Sequence, residues 1–145
     1  QFQGEEARAL AFADEMARLC PNVDLIDASG GAGLALGTSA KITAAVQGLE
    51  RLLGVYSMGG GNAAIIATLA ALNLGPDLFV AHDLDRENRQ LLRQGRLGYV
   101  LHHDLSADLD SALQHITAFH KLRPPVPDGE KADVQIITPA NCPVA

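Results

Sequence analysis

Apolar positions along the chain switch repeatedly between a helical spacing and short continuous runs. Between Gly4 and Leu19, Ala7, Leu10, Ala11, Ala17 and others recur at spacings of three and four, with Glu5 and Glu6 in the first turn. That predicts a helix whose dipole is complemented by acid and which Pro21 ends. Val23 to Asp27 reads as a strand that empties into the glycine-rich loop Ala28–Ser29–Gly30–Gly31–Ala32–Gly33. Thr38 or Ser39 is predicted to cap a second helix running through Ile42, Val46 and Leu49 to Leu53, stopped by Gly54. Val55 to Met58 reads as a strand, Gly59–Gly60–Gly61–Asn62 as the turn after it, and Ile65 to Leu72 as a third helix broken at Gly75–Pro76–Asp77. Leu78 to Ala81 is a strand ending at His82–Asp83, and Asp85 to Arg93 is a polar helix closed by Gly95. Tyr99 to Leu101 is a strand ending at His102–His103–Asp104, and Ser106 is predicted to cap a fifth helix reaching Phe119. Leu122 to Gly129 is Pro-rich and linker-like, and Val134 to Thr138 is a last β-branched strand.

Helix and strand therefore alternate, and the strands are near-continuous apolar runs. This is the signature of a three-layer α/β fold, a parallel sheet with helices on both faces. A crossover helix has a strand on each side, so the opening helix calls for a strand ahead of Gly4. Ligands in such sheets sit beyond the carboxyl ends of the strands, which directs attention to Ala28–Gly33, Met58–Asn62, His82–Leu84 and His102–Leu105.

Composition narrows the function. The 145 residues suit one domain with its own core, 48% are apolar and 19% charged, and the net charge is −6. Such an acidic balance argues against this chain gripping a nucleic-acid backbone itself. The sequence holds no apolar run of the roughly 18–20 residues that span a bilayer. Cys20 and Cys142 stand far apart in no metal-ligand spacing, so neither a disulfide framework nor a metal site is expected.

Tyr56–Ser–Met–Gly59–Gly60–Gly61–Asn62–Ala–Ala64 carries the strongest local signal. Its glycines permit a sharp turn and a close backbone approach to a ligand, and the helix that follows offers free N–H groups. The run can be written as the dinucleotide pattern Gly59-x-Gly61-x-x-Ala64 with Asp83 as the ribose-binding acid, or as a tight strand-to-helix turn and no more. The loop at Gly31 fails that pattern because its sixth position is Leu36. Asp83 has two readings: a carboxylate accepting two hydrogen bonds from neighbouring hydroxyls, or the cap of the helix near Asp85. His102 and His103 are adjacent on a strand and point to opposite faces, which disfavours a shared metal ion and leaves His103 as a hydrogen-bonding candidate. His115 and His120 are expected at the surface. No G-x-S-x-G, HExxH or P-loop occurs and Cys20 has no activating basic neighbour, so no enzyme and no cofactor are expected.

The run VYSMGGGNAAIIATLAAL, then LFVAHDLDRENRQLLRQGRLGYVLHHD with Arg89-Gln-Leu91-Leu92-Arg-Gln-Gly95, resembles the C-terminal effector half of LacI-type transcriptional regulators and sugar-binding periplasmic proteins. The resemblance covers about Glu5 to Phe119. It implies one lobe of a type I periplasmic-binding-protein-like fold over residues 1–122, with 123–145 as Pro-rich linker, last strand and hinge-proximal tail. The family's sugar-bonding arginine falls on Arg8, in Arg8–Ala–Leu–Ala11–Phe12, where Ala11 replaces the usual glycine. Its strand-end acid falls on Asp83 and its ligand-facing Gln on His103, while its ligand-binding Asn or Asp falls at Met58–Gly59–Gly60, where backbone groups would substitute. The expected function is sugar sensing in a cytoplasmic, homodimeric regulator that touches DNA only through an N-terminal helix-turn-helix outside these residues. A periplasmic sugar receptor of an ABC transporter and a dinucleotide-binding enzyme fragment are the alternatives.

Overall fold

A computed structural model describes residues 3–30, 35–127 and 133–143. Among them the elements run α1 (Gln3–Leu19), α2 (Ala35–Ala45), β1 (Gly54–Ser57), α3 (Asn62–Ala71), β2 (Leu78–His82), α4 (Arg86–Arg93), β3 (Tyr99–His102), α5 (Leu105–Phe119) and β4 (Gln135–Ile137). The strands form one sheet in the order β1-β2-β3-β4. The first three are parallel, with Tyr56 beside Val80 and Val80 beside Tyr99. β4 pairs antiparallel to β3, Leu101 opposite Ile136, so the sheet is mixed and departs from the all-parallel expectation at its last strand.

The core lies on one face of this sheet. Phe79, Ala81, Val100 and Ile137, alternate residues of β2, β3 and β4, are buried against Ile65, Ile66 and Leu69 of α3, Leu92 of α4 and Val46 just after α2. α3 packs against α2 and α4 as well as the strands, and the face it leaves exposed is alanine, at Ala63, Ala67 and Ala70. It ends earlier than the Gly75 break would place it. Asn73 takes the left-handed conformation at φ 56°, Leu74 N–H donates to Leu69 O at 2.9 Å, and the Leu74 side chain enters the core. Gly95 and Lys121 close α4 and α5 in the same way, at φ 69° and 59°.

Four predicted features come out differently. Val23–Asp27 is not a strand: Leu25 and Ile26 are about half exposed and no sheet partner among the described residues lies beside the run. α2 starts ahead of Thr38 and stops at Ala45, short of Leu53. Thr38 is buried within the helix and Ser39 accepts from the Thr68 hydroxyl at 2.9 Å, so packing on α3 claims both residues instead of capping. The cap of α5 is Asp104, whose carboxylate accepts from Ala107 N–H at 3.1 Å, and not Ser106. Gly31, Ala32 and Gly33 of the first glycine loop, and the linker's end at Gly129, lie outside the described residues.

The second face of the sheet is covered less completely. α1 reaches it at Phe12, whose ring lies 4.3 Å from that of Tyr56. α5 buries none of its residues, and its stripe Leu105, Leu109, Leu113, Ile116 and Phe119 is exposed.

Two substitutions test this packing. Leu69→Ala, at a site 2% exposed, is expected to lower the unfolding free energy by about 2–5 kcal/mol in urea titration. Lys121→Gly relieves a left-handed non-glycine residue and is expected to raise it by about 0.5–1 kcal/mol.

Candidate functional site

Parallel pairing of β1, β2 and β3 brings their carboxyl ends to one edge, so the turns that follow them are neighbours. The turn after β1 carries Gly59, half-buried, and Gly60, exposed. A Cβ placed on Gly60 would meet no described atom within 4 Å, and Gly60 is not among the glycines with positive φ. The turn thus presents bare backbone to open space. Gly61, at φ 84°, is the residue whose left-handed conformation starts α3.

Asp83 follows β2 in the left-handed region at φ 63°, with its side chain exposed. Its N–H donates to Leu101 O at 2.8 Å, tying the turn to β3. The alternative role foreseen for it, capping α4, belongs to Asp85, whose carboxylate accepts from Asn88 N–H at 2.7 Å. Asp83's carboxylate is thereby left out of the helix cap. Beyond β3, His102 Nδ1 accepts from Leu84 N–H at 3.2 Å. His102 and His103 both border an open depression of about 610 Å³ with Asp83, Asp85, Leu105 and Asp108. They share it because β3 ends at His102, so the alternation of a strand no longer separates them. No group of three or more His, Cys, Asp or Glu among the described residues is placed to hold a metal ion.

Two residues to which the motifs assign no role of their own sit beside this edge. Tyr56 and His82 share a hydrogen bond, Oη to Nε2, at 2.7 Å, and their rings are 5.4 Å apart. His82 lies two residues past Val80, Tyr56's sheet partner, and so on the same face; only the register reveals that relation. Burial pushes the His82 imidazolium down from its ordinary range, the Arg8 guanidinium and His103 act in the same direction, and Asp83 opposes them. Burial also raises the Tyr56 phenol, against a smaller opposing effect of Arg8. Both groups are consequently neutral at pH 7, and the pair is an uncharged hydrogen bond under Phe12. Arg8 enters this site only through its charge, which acts on both groups, while Asp83 and His103 border the depression.

The start of α3 is poorly suited to a pyrophosphate. Glu87 extends its carboxylate toward the Ala63 N–H, at 3.4 Å, so the protein sets its own anion against the donors a dinucleotide requires.

No protein-family model matches the chain, and no curated protein matches it significantly. Among solved structures, it is similar to a sugar ABC transporter (sugar-binding protein) from Bacillus halodurans, with a TM-score of 0.68 at 16% identity. The likeness covers 94% of this chain and 51% of that one, so the chain spans about half that protein's length. The α/β periplasmic-binding-protein-like fold expected from the sequence is the fold observed.

The His82 environment has a pH signature. Its folded pKa lies below the unfolded value of about 6.5, so the unfolded chain takes up the proton first as pH falls. Stability from this residue is complete above about pH 6.5 and declines below it. In urea titrations at pH 7.5 and 5.5, His82→Gln is expected to lose less stability over that interval than the parent chain.

Proposed function

We propose that this chain forms one side of a sugar-binding cleft in a non-enzymatic receptor that serves an ABC transporter. The observation that carries the reading is the likeness of nearly the whole chain to about half of a sugar-binding protein. The strand-end chemistry agrees with it. Asp83 offers a carboxylate that can accept from two adjacent sugar hydroxyls, His103 and Arg8 add a ring nitrogen and fixed donors, and Gly59 and Gly60 allow a sugar to approach the backbone. A phenol–imidazole pair backed by Phe12 lies alongside.

The LacI-type reading is kept as a second proposal because of one observation, the co-occurrence of Gly59–Gly60–Gly61–Asn62 with Arg89-x-Leu91-Leu92-x-x-Gly95. In that reading the protein is a cytoplasmic homodimer whose sugar occupancy alters DNA affinity through a separate helix-turn-helix. Sequence upstream of Gln1 separates the two: a signal peptide favours the receptor and a helix-turn-helix the regulator.

A thermal-shift panel of glucose, galactose, ribose, arabinose and xylose against NAD and NADP on the full-length protein tests the shared core of both readings. A sugar is expected to raise Tm and the nucleotides are not; stabilisation by nucleotides alone overturns both. With the sugar that binds, Asp83→Asn is expected to weaken affinity at least tenfold in calorimetry without lowering Tm, since Asn also tolerates φ 63°. Gly60→Ala is expected to leave stability within about 1 kcal/mol of the parent, there being room for the methyl group, while weakening sugar binding.

A further inference from the structure

Behind the three turns lie two asparagines that face neither solvent nor the depression. Asn62, the first residue of α3, is 1% exposed, and Asn88, in α4, is 2% exposed. Asn62 Nδ2 donates to Asn88 Oδ1 at 2.8 Å and, more weakly, to Gly59 O at 3.5 Å. Asn88 Nδ2 in turn donates to two successive backbone carbonyls, His82 O at 2.9 Å and Asp83 O at 2.8 Å. Asn88's own N–H is taken by Asp85. One residue further on, Leu84 N–H reaches His102 Nδ1. The chain of bonds therefore runs from the Gly59 turn through Asn62 and Asn88 to the Asp83 turn, and from there to the His102–His103 turn.

The direction of these bonds matters. Asn88 must present its NH₂ to the two carbonyls, so its oxygen faces Asn62, and Asn62 must answer with its own NH₂. A buried amide that donates twice to one turn holds Asp83 in the left-handed conformation, which non-glycine residues seldom adopt. Helix capping alone requires neither side chain, because Asp85 caps α4 without them.

We propose that Asn62 and Asn88 are positioning residues: their polarised amide pair locks the turns after β1, β2 and β3 together and aims Asp83 into the cleft. The second half of this rests on the sugar-binding reading; the locking of the turns does not.

Two substitutions of one residue separate polarity from volume. Asn62→Leu removes the donor but leaves Asn88 free to keep its NH₂ on both carbonyls. Asn62→Asp sets an acceptor against Asn88 Oδ1; if the Asn88 amide rotates to answer it, its oxygen then faces the His82 and Asp83 carbonyls. Amide hydrogen exchange of Asp83 and Leu84, measured by NMR on the full-length protein without ligand, reads the lock directly. Asn62→Asp is expected to accelerate exchange at both amides at least tenfold, and Asn62→Leu less than threefold. Acid should restore protection in Asn62→Asp relative to the parent at the same pH, because a buried carboxyl resists ionisation and, once protonated, donates to Asn88 Oδ1. Asn88→Leu, which removes both carbonyl contacts, is expected to lose protection and not to recover it in acid.

Equal effects of Asp and Leu at position 62, or protection at Asp83 and Leu84 that survives Asn62→Asp and Asn88→Leu, would overturn the proposal. Calorimetry with the five sugars then addresses the second half: where the parent binds one, Asn62→Asp should weaken it at least tenfold and Asn62→Leu less than threefold. If the lock behaves as stated and no sugar binds the parent, the positioning role stands and the sugar reading falls.

Discussion

Three parallel strands hydrogen-bonded in register impose the constraint on which the site depends. Parallel neighbours end on the same edge, so turns separated by 20 residues or more in the chain, at Gly59, Asp83 and His103, become adjacent as a consequence of strand pairing. Burial of Phe79, Ala81, Val100 and Ile137 against α3 and α4 holds that register, since a slip by one residue would turn these side chains to the other face. The core beneath and the site at the edge are two consequences of the same pairing.

The two faces of the sheet are unequal. One is filled by α2, α3 and α4. On the other, Leu78 and Tyr99 keep 43% and 41% of their surface exposed, and Ile136 keeps 58%. There the polar chemistry gathers near the strand ends, where α1 brings Phe12 onto Tyr56, the hydrogen-bond partner of His82. Burial first of all keeps the His82 imidazole neutral, which suits its hydrogen bond to the un-ionised Tyr56 phenol. The acidic residues bordering the depression, Asp83, Asp85 and Asp108, are used differently: Asp85 is spent on a helix end, while Asp83 faces outward.

Much of this was legible in the chain. The alternation of helical periods with continuous apolar runs marks the order of elements from residue 54 to 119, and the rule that ligands sit at strand ends points to four loops, three of which follow strands that the sheet places side by side, while Ala28–Gly33 follows no strand. The breaks at Val23–Asp27 and in the second half of α2 were not legible, because a short apolar run reads as a strand whether or not a neighbour exists to pair with it. Nor was the antiparallel direction of β4, since an edge strand of three residues carries no mark of its direction.

Local sequence determined whatever depends on spacing along the chain: helix periods, the left-handed closure at Gly95, the glycines that leave the turn after β1 bare, and an acid and a histidine at successive strand ends. Tertiary structure decided whatever depends on which residues meet across the sheet. The choice of Asp85 over Asp83 as cap, the Tyr56–His82 pair and the Asn62–Asn88 amide pair each join groups by geometry that no linear spacing encodes. The last two link residues 26 positions apart, and such contacts exist only after strand pairing has fixed which side chains share a face and which way each amide must point.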